Sequence, residues 1–157
     1  MNNHSDQRPM LTAGIFLGVG LGGFVDGIVF HQILQMHNML SAKLPKTSIV
    51  NMEINMFWDG LFHAAVWLIT ALGVALLWRA GARREGRWSG IAFTGALFLG
   101  WGLFNLVEGV IDHHILHLHH VVEQHGTSGF DYAFLGSAIV FMVGGWLAIR
   151  SGSAGRS

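Results

Sequence analysis

The chain contains no cysteine, two prolines, one tyrosine and only 11% charged residues. The absence of cysteine excludes disulfides and thiolate-ligated metal sites. A charged share this low is about half that of soluble domains, so water is not the solvent most of this surface is built for. Nine Lys plus Arg balance nine Asp plus Glu, and with zero net charge the chain lacks the basic patch of a nucleic-acid binder. Apolar residues fill the space, at 52% of the 157 positions. The 22 glycines lie inside apolar runs, not in linkers, a placement that transmembrane helices tolerate better than soluble ones.

A helix needs about 20 apolar residues to cross a bilayer. Four segments qualify: Leu11 to about Ile33, Phe57–Trp78, Gly90–Ile111 and Phe130–Ile149. The first is too long, too acidic and too poor in a small-residue cleavage site to be a secretory signal. The expected fold is therefore all-α: an integral membrane four-helix bundle spanning residues 11–150, between tails at 1–10 and 151–157. Arg8, Arg79, Arg83, Arg84, Arg87, Arg150 and Arg156 fall on one side of this map, and only Lys43 and Lys46 on the other. By the positive-inside rule both termini are expected in the cytoplasm. The connections Ile33–Met56 and Asp112–Gly129 then lie outside, with the helices expected to run on until Pro45 and Gly126.

Ten histidines exceed the nine basic residues, and most fall in the two outer connections. The stretches around them repeat. VDGIVFHQILQMHNML at 25–40 is matched by VEGVIDHHILHLHHVV at 107–122, so that Asp26 pairs with Glu108, His31 with His113 and His37 with His119. The repeat unit is two spans, 11–80 and 90–150, and an even number of passes makes the two halves parallel copies. Asp59 and Asp131 are then candidate mates at the starts of spans two and four, whereas Leu135 stands where His63 would be repeated. Gly14, Gly18 and Gly22, echoed by Ala96 and Gly100, form small-residue ridges on which spans one and three are expected to cross.

Ionisable groups in hydrocarbon cost at least about 2.5 kcal/mol at the centre and so face inward toward partners. A rise of about 1.5 Å per residue sorts them into layers. Asp26, Glu108 and His63 are expected deepest, then His31, His113, Asp59 and Asp131, with His37, His117, His119 and His120 outermost. Asp26 and His31 are five apart, about 140° around a straight helix, so an undistorted helix cannot aim both at one ion. The candidate metal-site residues are Asp26, His31, His37, Asp59, His63, Glu108, His113 and His119. Imidazole with carboxylate suits Zn, Fe or Cu(II), and the nearby methionines at 36, 39, 52 and 56 keep Cu(I) open.

The runs Asp26-Gly27-x-x-Phe30-His31-Gln32, Asp59-Gly60-Leu61-Phe62-His63-Ala64 and Gly102-x-Phe104-Asn105-Leu106-x-Glu108-Gly109-x-x-Asp112-His113-His114 resemble the membrane proteins of domain-of-unknown-function family 2243 over about Leu11–Ile149. The resemblance implies a small four-span protein of the bacterial inner membrane and brings no activity with it. Three functions compete on the residues themselves. One is a membrane metalloprotein with a His/carboxylate site near the outer face. The second is a proton or metal-ion transporter. The third is a non-catalytic assembly protein that binds a membrane partner or a second copy of itself. The bilayer is a partner in each, and whether there is an enzymatic reaction is left open.

Overall fold

The structure is a computed structural model that describes residues 7–82 and 88–154. His4, the loop arginines Arg83, Arg84 and Arg87, and Arg156 lie outside the described residues. Helix α1 spans Arg8–Val25, with Pro9 in its first turn where a missing N–H costs nothing. It passes without a break into a π-helical segment, Asp26–Ile33. Helix α2 spans Ile49–Ala82. Helix α3, Gly90–Glu108, is capped by Ser89, whose hydroxyl accepts from the Ala92 N–H, and it also ends in a π-helical segment, Gly109–Ile115. Helix α4 spans Gly129–Ala154. No strand occurs among the described residues, and four helices are long and apolar enough to cross a membrane.

Helices α1 and α3 form the central pair and run parallel. Their contacts step together along both, from Gly14 against Ala96 to Gly22 against Trp101 and Phe104. The approach is closest where a Cβ on Gly18 would collide with the Leu97 carbonyl and a Cβ on Gly100 with the Ile15 carbonyl. These two contacts are reciprocal: adding 82 to 18 and 15 gives 100 and 97. Only glycine lets backbone meet backbone at such a crossing. Helix α2 packs antiparallel on α1, with Gly20 on Thr70 and Gly23 on Val66, and α4 packs antiparallel on α3, with Gly102 on Ala138 and Met142. The outer faces of α2 and α4 expose Trp67, Leu68, Trp78, Ile139, Val140 and Leu147, the apolar coat that lipid demands.

The expectation that spans one and three run on as helices to Pro45 and Gly126 is not met. Helical structure stops at Ile33 and Ile115. Gln35 and His117 then take positive φ, 51° and 48°, and each chain doubles back toward the bundle. Helix α2 in turn begins at Ile49, inside what the sequence reading assigned to a connection.

Candidate metal centre

The two π-helical segments decide the site. Their i→i+5 bonds, Leu34 N–H to Val29 O and Leu116 N–H to Ile111 O, are both 2.8 Å. The wider winding returns residue i+5 to the face of residue i, so Asp26 faces His31 where a straight helix would set them far apart. The Asp26 Oδ2 to His31 Nε2 distance is 3.0 Å. Past each segment, a bond from Met36 N–H to Phe30 O (2.9 Å) and one from Leu118 N–H to Asp112 O (2.8 Å) hold the reversal. The reversal swings His37 and His119 inward, where they are 1% and 0% exposed. This overturns the layered arrangement: Asp26, Glu108, His31, His37, His113 and His119 make one buried cluster between the halves.

Each of the four imidazoles has its Nδ1 beside an oxygen outside the cluster. His31 Nδ1 donates to Asp59 Oδ1 at 3.0 Å. His113 Nδ1 lies 3.2 Å from Asp131 Oδ1. His37 Nδ1 donates to the Val121 carbonyl at 3.0 Å, and His119 Nδ1 to the Met39 carbonyl at 3.2 Å. A carbonyl only accepts, so the proton of these last two rings is on Nδ1 and the lone pair on Nε2. Residues 39 and 121 brace the halves against each other. Their carbonyls hold the other half's histidine, while their N–H groups donate to their own half's acid, Met39 to Asp59 at 2.8 Å and Val121 to Asp131 at 3.1 Å. Burial, the largest influence on His119, pushes its pKa well below the ordinary 6.5 and keeps the ring neutral.

The inward atoms are short of partners. Asp26 Oδ2, His31 Nε2, His37 Nε2, Glu108 Oε2 and His113 Nε2 are buried without a hydrogen bond. Asp26 Oδ2 and His31 Nε2 approach to 3.0 Å without making a hydrogen bond. Three sets of donors lie within 4.8 Å of one another: His31 with His37 and His119, Glu108 with His113 and His119, and Asp26 with His37 and Glu108. Lone pairs and carboxylates packed without donors repel one another, and a cation among them removes that cost. His31, His37 and His119, each held through Nδ1 by an outer oxygen, have the orientation a metal-binding histidine takes when an outer acceptor holds its tautomer, while His113 Nδ1 lies near Asp131 without a hydrogen bond.

Two predicted residues stand outside the cluster. His63 turns its Nδ1 to the Asp59 carbonyl of its own helix at 2.7 Å and packs over Gly27. Asp59 faces the back of His31 and accepts from Met39, Asn38 and Gln32 as well. It therefore orients a histidine and does not join the inward donors. Asp131 has the corresponding place behind His113. Met52 and Met56 are exposed and, together with His31, line a cavity at the side of that histidine. The carbonyls at 39 and 121 were invisible to a side-chain reading; their one trace was the equal spacing of His37 and His119 from the acids.

No curated protein and no solved structure matches this chain. Four apolar helices carrying the duplicated acid–histidine run agree with the one comparison that does match, over residues 13–152: the chain belongs to the family of predicted membrane proteins DUF2243.

Proposed function

We propose that the chain is a membrane metalloprotein whose two halves, copies of one ancestral helical hairpin, enclose a first-row transition metal between Asp26, His31, His37, Glu108, His113 and His119. The observation that carries this reading is that Asp26 Oδ2, Glu108 Oε2 and the Nε2 atoms of His31, His37 and His113 are buried without hydrogen bonds, while the Nδ1 atoms of His31, His37 and His119 bond to oxygens outside the cluster. Imidazole nitrogen with carboxylate oxygen is a donor set that suits Zn, Fe, Mn or Co. The arginine distribution supports cytoplasmic termini in a bacterial inner membrane, with the centre near the outer face. A cavity of about 230 Å³, lined by His31, Gln32, Gln35, Asn38 and Lys46 among others, lies beside His31.

The alternative of transport is less well supported. Toward the end that carries the termini, the α1–α3 seam is closed by Met10, Ala13, Gly14, Ala92 and Ala96, all buried. A resident ion fits this arrangement better than a conducted one.

Elemental analysis of the detergent-purified full chain tests the reading. Near-stoichiometric metal is expected, falling to background when His37 and His119 are both replaced by Ala. Absence of metal from both native and metal-supplemented protein refutes it. Orientation has its own test, because the chain lacks cysteine: a single Ser48→Cys is expected to react with an impermeant maleimide on intact cells. Labelling only after lysis reverses the topology.

A further inference from the structure

The cluster is longer than one ion can serve. Zinc and similar ions hold nitrogen and oxygen donors at about 2.0–2.2 Å, so two ligands of one ion are at most about 4.4 Å apart. His31 and His113 each fall within 4.8 Å of His119 in a donor set, yet no set among the described residues contains both of them. The middle of the cluster points the same way. His37 and His119 stack with centroids 4.6 Å apart and planes 12° from parallel. In-plane lone pairs of two stacked rings run along separate lines, so one ion cannot lie on both.

The pairing within each half is nearly identical. His31 and His37 meet edge-on with centroids 4.7 Å apart at 76°, and His113 and His119 at 4.8 Å and 75°. The cross-half distances, His31 to His119 and His37 to His113, are longer, at 5.7 and 6.3 Å. Two of the three donor sets join residues of both halves, so the centre is shared across the seam, but each half also brings its own acid. Asp26 places one oxygen 3.0 Å from His31 Nε2 and the other 3.6 Å from His37 Nε2. Glu108 lies 3.4 Å from His119 Nε2 and shares a donor set with His113. Asp26 and Glu108 bring a charge of −2 when both are ionised, and Asp59 and Asp131 behind His31 and His113 bring it to −4, the charge that balances two divalent ions. Small oxygen ligands such as water or hydroxide can complete the coordination of a pair of ions.

We infer that the cluster is a two-ion centre, with one divalent first-row ion held by His31, His37 and Asp26 and a second by His113, His119 and Glu108. The inference rests on the metalloprotein reading and adds to it a second ion site and a defined division of ligands. Three protein ligands leave positions free on each ion. A small oxygen-donor ligand bound between the ions is the chemical class such a centre accepts.

Cobalt and manganese serve as probes. The purified full chain is loaded with Co(II), and bound metal is counted after gel filtration. Two cobalt per chain is expected, with His31→Gln and His113→Gln each retaining one and the double variant none. Saturation of the wild type at one cobalt overturns the two-ion assignment while sparing the metal centre. Absence of uptake, in protein that also carries no metal as isolated, refutes the centre itself. Should the variants fail to fold, Mn(II) in the wild type decides: the exchange-coupled spectrum of a pair is expected at two equivalents, and an isolated six-line spectrum at saturation overturns the assignment.

Discussion

At the end of α1, Asp26, His31 and His37 face inward; at the end of α3, Glu108, His113 and His119 do the same, with the π winding, the positive φ and the carbonyl brace matched position for position. Yet at interleaved positions the halves differ completely: Phe30, Gln32, Gln35 and Asn38 in the first become Asp112, His114, His117 and His120 in the second. The flanking helices differ too. Helix α2 begins ten residues before its acid, Asp59, and α4 two residues before Asp131. The acid and two histidines that form the cluster agree, and so do the exposed pairs Ile33/Ile115 and Leu34/Leu116. At the rim, Asn38 reaches Asp59 with an amide while His120 comes to 3.5 Å of Asp131 with a ring. The geometry of the cluster is thus matched in the two halves where the residues behind it are not.

The comparison breaks most visibly at the two anchoring acids. Asp59→Ala removes the acceptor of His31 Nδ1, the Met39 N–H and the Asn38 amide together. Breaking a buried pair in this way costs about 3–5 kcal/mol, so a large fall in Tm and loss of bound metal are expected by thermal shift and elemental analysis. Asp131→Ala removes the acceptor of the Val121 and Ser128 N–H groups and the oxygen behind His113, and a fall of the same order is expected. Unchanged metal content and Tm in either variant would show that the halves do not share a supporting acid. The central crossing is next. Gly18→Ala and Gly100→Ala each set a methyl against backbone of the partner helix, and overpacking of this kind costs about 1–3 kcal/mol. Equal losses are expected for the two, and a twofold difference in ΔΔG would mean that the crossing is less symmetric than its contacts.

Much of this organisation was legible in the chain itself. The four apolar runs, the small-residue ridges and the duplicated acid–histidine spacing follow from composition and periodicity, which the fold obeys through α1–α4. The membership of the cluster was only partly legible. Five residues on an α-helix point about 140° apart, which separates Asp26 from His31, and a π winding has no side-chain signature that distinguishes it from an α one. A helix running on through Gln35 and His117 carries His37 and His119 outward, and neither residue announces a positive φ as glycine would. The i,i+4 spacing of His63 from Asp59 suggests a shared site, but its Nδ1 is already satisfied by the backbone of its own helix.

The rim should be exchangeable where the centre is not. Replacing His117 by Gln and His120 by Asn gives the second half the first half's residues. The count of tightly bound metal is expected to stay at the wild-type value, with Tm shifted by no more than about 4 °C, the equivalent of roughly 1 kcal/mol in a chain of this size. Weak zinc binding on a chelate-competition assay should fall, since His117 is exposed and its ring lies 5.9 Å from that of His120. Loss of the tight metal in this variant would make the rim histidines part of the centre and erase the distinction between the regions.

The smallest effect concerns pH and belongs to the metal-free protein. His119 is buried with a pKa pushed well below the ordinary 6.5. Below pH 6.5 the unfolded chain therefore takes up a proton at this residue that the folded chain refuses. Stability rises with pH wherever the unfolded state binds more protons. His119 thus contributes nothing to pH dependence above about 6.5, and stability is lost progressively as pH falls below it, by at most about 1.4 kcal/mol per pH unit for a single group. Thermal unfolding of stripped wild type and His119→Gln between pH 7.5 and 5 should show the wild type falling more steeply on the acid side, with parallel curves above pH 7. Parallel curves throughout would mean that His119 accepts its proton in the folded state, and that its Nε2 is not the closed, neutral donor described for the cluster.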